Sequence, residues 1–334
     1  MIISKLWQIT LLVTMPMVAY SVCPKTDDLK AWEKPYPENQ KDLLAIQERL
    51  RKILPEAKKT VVAIESGGGA GSGVIVSEDG MVLTAAHVIG KSGKRVKIRL
   101  PDGKRVNAIT LGGSEISDAG MAEITDEGGW PVAPMAERGS SKIGDWCFAL
   151  GHPGGFDKER GIIVRLGRII AKEDETIQTD SRLLGGDSGG PLFDFNGRVI
   201  GIHSRISKKD DQNFHAPIEA FHANWKSFRE EKLLTQSSLR EGGFLGVGCE
   251  ETEDGLKVIE VVEGSAAKKA RFRVGDIIVK VNGDFIDTRE ELTIAIATTG
   301  PGKSVIIDYR RGEKEMTAKV KLGKRPEFEE ESEE

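Results

Sequence analysis

The sequence is poor in cysteine. Its 334 residues include only Cys23, Cys147 and Cys249. Three thiols cannot all pair, and the second and third lie in apolar runs, so we expect both to be small buried hydrophobic residues. A disulfide framework is thereby excluded, and core packing must hold the fold. HExxH and paired CxxC motifs are also lacking, and we predict no metal and no cofactor.

A strong charge of either sign is lacking as well. The formal net charge is −4, but six glutamates lie within the last eight residues, so the body of the chain is near neutral. We expect the acidic end, 324–334, to be solvated and disordered. No basic stripe with interleaved aromatic residues occurs, which argues against nucleic acid as the main partner.

Long apolar runs are rare, and the one at 6–20 follows Lys5 and precedes Ser21. This run is shorter than the roughly 20 apolar residues that a spanning helix needs. Residues 1–21 are therefore predicted to be a secretory signal peptide, with an uncleaved membrane anchor as the alternative. We expect the protein to be exported, with the periplasm as the natural location.

Glycine, in contrast, is abundant. The sequence has 39 glycines and 6% aromatic residues, which indicates many tight turns between short elements. The length favours about two domains. Apolar residues at helical spacing predict an amphipathic helix over 38–54, ending at Pro55, within an N-terminal segment 22–59.

Two strand-rich units follow this segment. Short Val- and Ile-rich runs over 60–225 favour a sandwich or barrel, and a second such unit covers 243–323. The charged stretch 226–242 between them is predicted to be a linker. Two segments of the second unit have helical character, 266–271 and 289–298.

A glycine-rich heptad, GGDSGGP at 185–191, surrounds Ser188. A serine hydroxyl is a poor nucleophile at neutral pH, so a serine hydrolase also needs an imidazole and a carboxylate. The glycines allow a sharp turn, after which the backbone N–H groups of Gly186 and Ser188 would point at a developing oxyanion.

The candidate imidazole is His87, which follows the β-like run MVLTAA. A lone histidine in an apolar stretch is more often a core residue, and only the presence of GDSGGP makes it a candidate base. Several acids lie between the two motifs, including Asp102, Asp118 and Asp126. Asp102 and Asp126 suit solvated turns.

TAAH followed by GDSGGP resembles the chymotrypsin-type serine proteases, which carry the orienting aspartate between these motifs. The segment ISDAGMAEI resembles D-[LI]-A-[LV] of the bacterial branch, so the resemblance assigns Asp118 to that role. Gly120 stands where the family usually has alanine.

Three further motifs narrow the resemblance. With ALGHPGG at 149–155, GIHSRI at 201–206 and FHAPI at 214–218, the region resembles the HtrA (high-temperature-requirement A) proteases, whose usual forms are GNP, GINT and FAIP. The resemblance implies a mostly β fold with a chymotrypsin-like double β-barrel. It also implies a set of substrate-binding residues on the pocket wall and the neighbouring strand, namely Leu183, His203, Ser204 and Arg205.

Asp187 departs from this resemblance. HtrA proteases usually have asparagine there, whereas the digestive enzymes have an aspartate that pairs with a newly cut amino terminus. No activation cut is visible before Val61. Our hypothesis is that Asp187 pairs with Arg182 and that this pair helps to set the oxyanion loop.

Residues 243–323 resemble a PDZ domain, a small β-barrel with two helices. Phe244, Leu245, Gly246 and Val247 match the motif whose backbone amides receive a peptide's terminal carboxylate while the peptide adds as a strand. Residues 264–283 match the central PDZ signature of HtrA proteins. The alternative is that these apolar side chains are simply core.

The HtrA resemblance implies an ATP-independent serine endopeptidase of unfolded or mistargeted envelope proteins, working as a homotrimer, in which the PDZ domain captures the C-termini of substrates or activators. Two alternatives are a regulatory protease that cuts one membrane substrate and a PDZ-based binding protein or chaperone. The intact triad argues against the last. The loop 208–213 is predicted to switch between order and disorder when the PDZ domain is occupied.

Overall fold

The computed structural model of the chain describes residues 29–66, 69–173, 175–206, 212–252 and 254–325. The predicted signal segment, Cys23, residues 208–211 of the 208–213 loop and the acidic end after Arg325 lie outside the described residues. Across the described ranges, no helix combines the length and the apolar character needed to cross a membrane.

An N-terminal helix, α1 (Gln40–Thr60), precedes the barrels. The prediction that this helix ends at Pro55 was wrong, because Pro55 lies inside it. Proline removes one helical hydrogen bond. Ile46 and Ala57 are nevertheless buried in the main core, and the Thr60 hydroxyl donates to the Ala57 carbonyl at 2.8 Å. The burial of these side chains and the Thr60 hydrogen bond outweigh the helical hydrogen bond lost at Pro55.

Six strands close into a first barrel. Their hydrogen-bonded order is β5-β4-β1-β2-β3-β6, and pairing of β5 with β6 closes the ring. A short helix, α2 (Ala86–Ile89), follows the third strand. Buried Val and Ile side chains such as Val62, Ile64 and Ile98 fill the interior. The strands are β1 (Val61–Ser66), β2 (Gly69–Ile75), β3 (Met81–Ala85), β4 (Arg95–Arg99), β5 (Arg105–Ser114) and β6 (Ala119–Ile124).

A second closed barrel follows, in the order β10-β11-β12-β9-β8-β7. In its core Phe148 stacks on Phe193 with ring centroids 5.2 Å apart, and Cys147 is a buried free thiol, as predicted. The predicted double β-barrel is confirmed. The strands are β7 (Trp146–Gly151), β8 (Ile163–Glu173), β9 (Thr176–Thr179), β10 (Pro191–Asp194), β11 (Val199–Ile206) and β12 (Asn213–Pro217).

The stretch 226–242, predicted to be a linker, is folded against the first barrel. Helix α3 (Ile218–Arg229) continues across residue 226, strand β13 (Leu233–Leu234) pairs in parallel with β5, and α4 (Gln236–Glu241) follows. Phe228 is 0% and Leu234 2% exposed. Burial of these two apolar side chains holds the segment on the barrel, a contribution that its high charge concealed.

The C-terminal unit, which resembles a PDZ domain in sequence, has a sheet in the order β15-β16-β17-β19-β20. Strand β15 is therefore an edge strand. Both predicted helices are present, and Cys249 is buried, as predicted. The elements are β14 (Gly243–Phe244), β15 (Val247–Thr252), β16 (Gly255–Val261), α5 (Ala266–Lys269), β17 (Ile277–Val281), β18 (Asp284–Phe285), α6 (Arg289–Thr299), β19 (Ser304–Arg311), β20 (Lys314–Lys321) and β21 (Gly323–Lys324).

Within the described ranges, Arg138 and Lys226 make three ion pairs between the barrels and the PDZ domain, the longest of them between Arg138 Nη1 and Asp287 Oδ2 at 3.8 Å. Arg138 contacts Glu291, whose side chain is 7% exposed and which caps α6 together with Thr288. Lys226 Nζ lies 2.8 Å from Asp284 Oδ2, and both of these side chains are more than half exposed. The Arg138–Glu291 contact is thus partly buried, and the Lys226–Asp284 contact lies in solvent.

Candidate active site

A cleft of about 350 Å³ is lined by residues of both barrels. His87 comes from α2 after β3, Asp118 from the turn between β5 and β6, and Ser188 from the loop before β10. Because strand ends from different parts of the chain meet here, the three residues share one site. Other lining residues include Leu183, Leu184, Ser204 and Arg205.

Asp118 holds the imidazole of His87. His87 Nδ1 lies 2.9 Å from Asp118 Oδ2, and the His87 backbone N–H donates to Oδ1 at 3.1 Å. The Ser204 hydroxyl donates to Oδ2 at 2.6 Å. Asp118 has a φ of 56°, in the left-handed region that few non-glycine residues adopt. Such strain is typical of functional sites.

These contacts set the protonation of both groups. The hydrogen bond to Asp118 raises the pKa of His87 above its ordinary value. Burial by itself would raise the pKa of Asp118, but the hydrogen bonds from His87 and Ser204 outweigh it and the pKa lies below its ordinary value. Asp118 is thus a carboxylate at neutral pH, suited to hold the His87 tautomer with a proton on Nδ1.

Ser188 lies in the same cleft but turns its hydroxyl elsewhere. Its Oγ donates to the Ser204 carbonyl at a long 3.4 Å. Within the described ranges no hydrogen bond joins Ser188 to His87. Catalytic hydrogen bonds of ligand-free enzymes are often long and tighten only when substrate binds. The structure therefore brings His87 and Asp118 into contact and places Ser188 in the same cleft.

The loop around Ser188 requires glycine at residue 186. Gly186 has a φ of +95°, and a Cβ there would lie 2.5 Å from the Gly154 backbone nitrogen. Among the residues that the structure describes, no hydrogen bond takes up the N–H of Gly186 or Ser188. Both N–H groups are thus available to an oxyanion.

Ser72 of β2 fixes this loop from the first barrel, a role that the sequence did not indicate. Its hydroxyl donates to the Gly186 carbonyl at 2.9 Å, and its N–H donates to the Ser188 carbonyl at 2.7 Å. Ser72 is fully buried. In the sequence Ser72 is marked only as a small residue between Gly71 and Gly73, a pattern too common to identify a functional residue.

The hypothesis of an Asp187–Arg182 pair was wrong. Asp187 is 0% exposed, and its Oδ2 lies 2.9 Å from Arg165 Nη1 and accepts the Leu184 N–H at 2.9 Å. Arg182 is an exposed residue. The hypothesis considered only cations close in sequence, whereas Arg165 reaches the loop from β8.

Two buried histidines lie behind the loop around Ser188. His203 Nδ1 is 3.0 Å from His215 Nδ1, His203 Nε2 is 3.2 Å from the Leu150 carbonyl, and His215 Nε2 is 2.7 Å from Thr179 Oγ1. The Leu150 carbonyl can only accept, so His203 carries its proton on Nε2 and His215 on Nδ1. Burial lowers the pKa of both residues, that of His215 to about 3.

His203 was predicted to bind substrate as part of the strand that pairs with it. In the structure its side chain is 0% exposed, its N–H donates to the Gly190 carbonyl and its own carbonyl accepts the Gly189 N–H. The other three predicted residues, Leu183, Ser204 and Arg205, do line the cleft. A third buried histidine, His152, has no hydrogen-bond partner in the structure for either ring nitrogen. Burial lowers its pKa to about 4. In the described part of the chain, no group of three His, Cys, Asp or Glu residues could hold a metal ion.

The four predicted PDZ residues are consecutive: Phe244 ends β14, Leu245 and Gly246 form the loop, and Val247 begins the edge strand β15. The Leu245 carbonyl accepts from Ala267 N–H at 2.8 Å, and the Gly246 carbonyl accepts from Val262 N–H at 3.0 Å. Gly246 has a φ of +80°. Over the described ranges the N–H groups of Leu245 and Gly246 have no intramolecular acceptor. The loop is held by its carbonyls, with these amides available to a carboxylate.

Comparisons with known proteins agree with this architecture. A family model for the trypsin-like peptidase domain matches residues 71–202, and one for the PDZ domain matches residues 243–322. A putative serine protease HhoA of Synechocystis is 31% identical over 75% of this chain and 70% of its own length.

Two further curated relatives are longer. A probable periplasmic serine endoprotease DegP-like protein of Hahella chejuensis is 32% identical over 77% of this chain and 57% of its own length. The periplasmic pH-dependent serine endoprotease DegQ of Escherichia coli is 32% identical over 76% of this chain and 59% of its own. The chain thus spans little more than half of these two relatives.

Solved structures show the same fold. The serine endoprotease of Yersinia pestis matches with a TM-score of 0.53 and 24% identity, covering 84% of this chain and 98% of its own. The HtrA-type protease AlgW with a tripeptide matches with a TM-score of 0.54 and 23% identity, covering 83% and 98%.

Proposed function

The chain belongs to the HtrA family of trypsin-like serine proteases with a PDZ domain, and on this premise we propose that it is a serine endopeptidase with the triad His87, Asp118 and Ser188. The observation that carries the proposal is the contact between His87 and Asp118 in the cleft that also contains Ser188. A histidine–aspartate pair without a function would not need the strained backbone of Asp118.

The mechanism begins at Ser188. When substrate enters, the Ser188 hydroxyl turns from the Ser204 carbonyl to His87 Nε2. His87 takes the proton as Ser188 Oγ attacks the scissile carbonyl. The N–H groups of Gly186 and Ser188 stabilise the resulting oxyanion. His87 then protonates the leaving amine, and the acyl group stays on Ser188. A water molecule, deprotonated by His87, releases the acyl group and restores the serine.

The cleft supports an aliphatic preference at the cleavage site. Leu183 is buried at the pocket wall, and Ser204 and Arg205 continue the lining. An apolar wall binds small or medium aliphatic side chains by burial rather than by charge. The strand of residues 203–205 is the expected partner of the substrate, through Ser204 and Arg205, because the N–H and carbonyl of His203 are bonded to Gly190 and Gly189.

The PDZ domain is proposed to capture the C-termini of substrates or activators. The edge position of β15 and the open amides of Leu245 and Gly246 support strand addition with carboxylate binding. The names of the periplasmic relatives support an exported location and substrates outside the cytoplasm.

A homotrimer is the proposed assembly. The family resemblance places such contacts in the N-terminal part of the protease unit. In the segment just before that unit, Tyr36, Leu43 and Leu44 are 66%, 55% and 49% exposed. Exposed apolar groups of this kind support a subunit contact.

A narrower role, regulated cleavage of one target, has one observation in its favour. In the ligand-free state Ser188 Oγ donates to the Ser204 carbonyl and must turn to His87 before attack, a step that a regulator could favour. We propose that occupation of the PDZ domain favours this step.

The test compares the purified full-length chain with Ser188→Ala for cleavage of casein and for labelling by a fluorophosphonate. The unmodified chain is expected to cut and to be labelled, and the variant to do neither. Both are then assayed with C-terminal peptides, which are expected to raise the rate of the unmodified chain only. Equal cutting by both chains would contradict the triad, and a peptide without effect would contradict the regulated role.

A further inference from the structure

Asp187 lies at the centre of the catalytic loop, residues 184–190, whose first half is bonded to its carboxylate and its N–H and whose second half is bonded to its carbonyl. Its Oδ2 accepts the Leu184 N–H, its own N–H donates to the Leu184 carbonyl at 3.0 Å, and its carbonyl accepts the Gly190 N–H at 2.8 Å. Gly186 and Ser188, the proposed oxyanion donors, are its two neighbours in the chain. The position of Asp187, to which its side chain contributes through the Leu184 N–H, therefore bears on where both donors point.

A fully buried carboxylate is costly unless a cation accompanies it. Arg165 supplies that cation across the barrel, from a position on β8 paired with Ala149 of β7. The Arg165 side chain is 15% exposed, so its pairing with Asp187 is shielded from solvent. A second guanidinium nearby, that of Arg160, is engaged by the Gly155 carbonyl at 2.6 Å.

The surroundings of Asp187 leave little freedom. Its Oδ1 is buried without a hydrogen-bond partner in the structure, and a Cβ on Gly151 would come within 2.5 Å of that oxygen. Burial raises the pKa of Asp187, and Arg165 opposes this rise. Without Arg165, only the Leu184 N–H and the more distant charge of Arg160 would favour the charged form, so the carboxylate would take up a proton more readily or leave its place.

We propose that Arg165 is a positioning residue of the catalytic loop, whose guanidinium fixes Asp187 and thereby holds the N–H groups of Gly186 and Ser188 toward the oxyanion. In the digestive enzymes that this loop resembles, a newly cut amino terminus has this task. Here a residue within the second barrel performs it. The inference rests on the proposed endopeptidase function.

The test uses the full-length chain with Arg165→Met, which keeps a long side chain and removes the charge. At pH 8 we expect kcat to fall about 10- to 100-fold with little change in KM, because an unpaired buried carboxylate displaces the oxyanion donors. In the double variant Arg165→Met/Asp187→Asn no buried charge is left unpaired. Its kcat is expected to return to within about 3-fold of the unmodified chain.

The pH dependence separates positioning from simple stabilisation. As the pH is lowered from 8 to 6, the rate of Arg165→Met relative to the unmodified chain is expected to rise, since the unpaired Asp187 takes up a proton and becomes neutral. The rate of the double variant, relative to that of the unmodified chain, should not change with pH. Asp187→Asn alone is expected to lose less than about 10-fold in kcat, because Arg165 can turn toward solvent. This variant replaces Arg165→Met in the test if Arg165→Met does not fold.

Arg168→Met is the matched control, since Arg168 lies on the same strand but donates to the Gly144 carbonyl at 2.8 Å, away from the loop. Equal kcat for Arg165→Met and Arg168→Met at every pH would overturn the inference. So would a low kcat that the double variant does not recover. If the unmodified chain neither cuts casein nor reacts with a fluorophosphonate, the proposed function itself fails.

Discussion

Ser204 connects two members of the triad. Its hydroxyl donates to Asp118 at 2.6 Å, and its carbonyl accepts from Ser188. Ser204→Ala is expected to lower kcat/KM about 10-fold, because a hydrogen bond to a charged group contributes roughly 1.5–3 kcal/mol and part of that orients His87. Steady-state kinetics on casein-derived peptides would measure it. Ser204→Thr keeps the hydroxyl and should retain most of the activity; if it loses as much as the alanine variant, the hydrogen bond is not the cause.

Gly186 offers a second test at one position. Gly186→Ala combines a positive φ with a contact of 2.5 Å to the Gly154 nitrogen, so the oxyanion donor must move. We expect at least a 100-fold loss of kcat, as is typical when an oxyanion donor is removed. A Cβ on the neighbouring Gly185 meets nothing within 4 Å, so Gly185→Ala should lose far less. Similar losses in both variants would show that the loop tolerates no side chain anywhere.

Catalysis by His87 should depend on pH in a defined sense. A general base must be neutral, and Asp118 raises the pKa of His87, so kcat/KM should fall below a midpoint that lies above 6.5. Asp118→Asn removes the carboxylate. We expect a loss on the order of 10⁴-fold, as in related triads, and a midpoint shifted to lower pH. A pH–rate profile of both proteins would decide, and an unshifted midpoint would contradict the assignment.

At the scale of elements, the His203–His215 pair links β11 to β12 in the neutral state. Histidines that stay neutral when folded bind protons only after unfolding at pH below about 6.5. Stability is therefore complete above that value and is lost as the pH falls toward the lowered pKa values of the folded state. Each such histidine removes about 1.4 kcal/mol per pH unit in this window. The raised pKa of His87 acts in the opposite sense, but only at higher pH.

The corresponding prediction concerns unfolding by urea between pH 7.5 and 4.5. The unmodified chain should lose unfolding free energy steeply below pH 6.5. In His203→Asn/His215→Ala the slope should decrease by up to about 3 kcal/mol per pH unit, since two buried neutral histidines are gone. A matched control, His222→Asn, removes a half-buried histidine and should keep the steep slope. Equal slopes in all three proteins would exclude the histidine pair as the source.

Local motifs predicted most of the elements, and the misses have physical reasons. The strands around His87 and Ser188 follow from short apolar runs between glycine turns. The end of α1 and the fold of 226–242 do not, because buried Ala57, Phe228 and Leu234 decide them through contacts with distant strands. The partner of Asp187 was missed for the same reason, since Arg165 is brought close only by barrel closure.

For the whole molecule, the contact of Arg138 with Glu291 joins the barrels to the cap of α6. Arg138→Ala leaves the largely buried Glu291 without its cation, and we expect the PDZ domain to lose about 1–3 kcal/mol of unfolding free energy. The control is Lys226→Ala, which removes an exposed interdomain pair and should cost less than about 1 kcal/mol. Calorimetry of the full-length chain would resolve the PDZ transition. A larger effect of Lys226→Ala would contradict this ranking.

The open edge of β15 also bears on how copies of this protein avoid one another. An unpaired strand edge is a template for aggregation. Glu250 and Glu251 are exposed on this strand, so two copies that tried to pair edge to edge would bring like charges together. A neutral or basic peptide meets no such barrier. The same carboxylates would thus keep concentrated protein in solution and would disfavour the docking of acidic chains on this edge, so the strand stays open to its ligands without becoming a site of self-association.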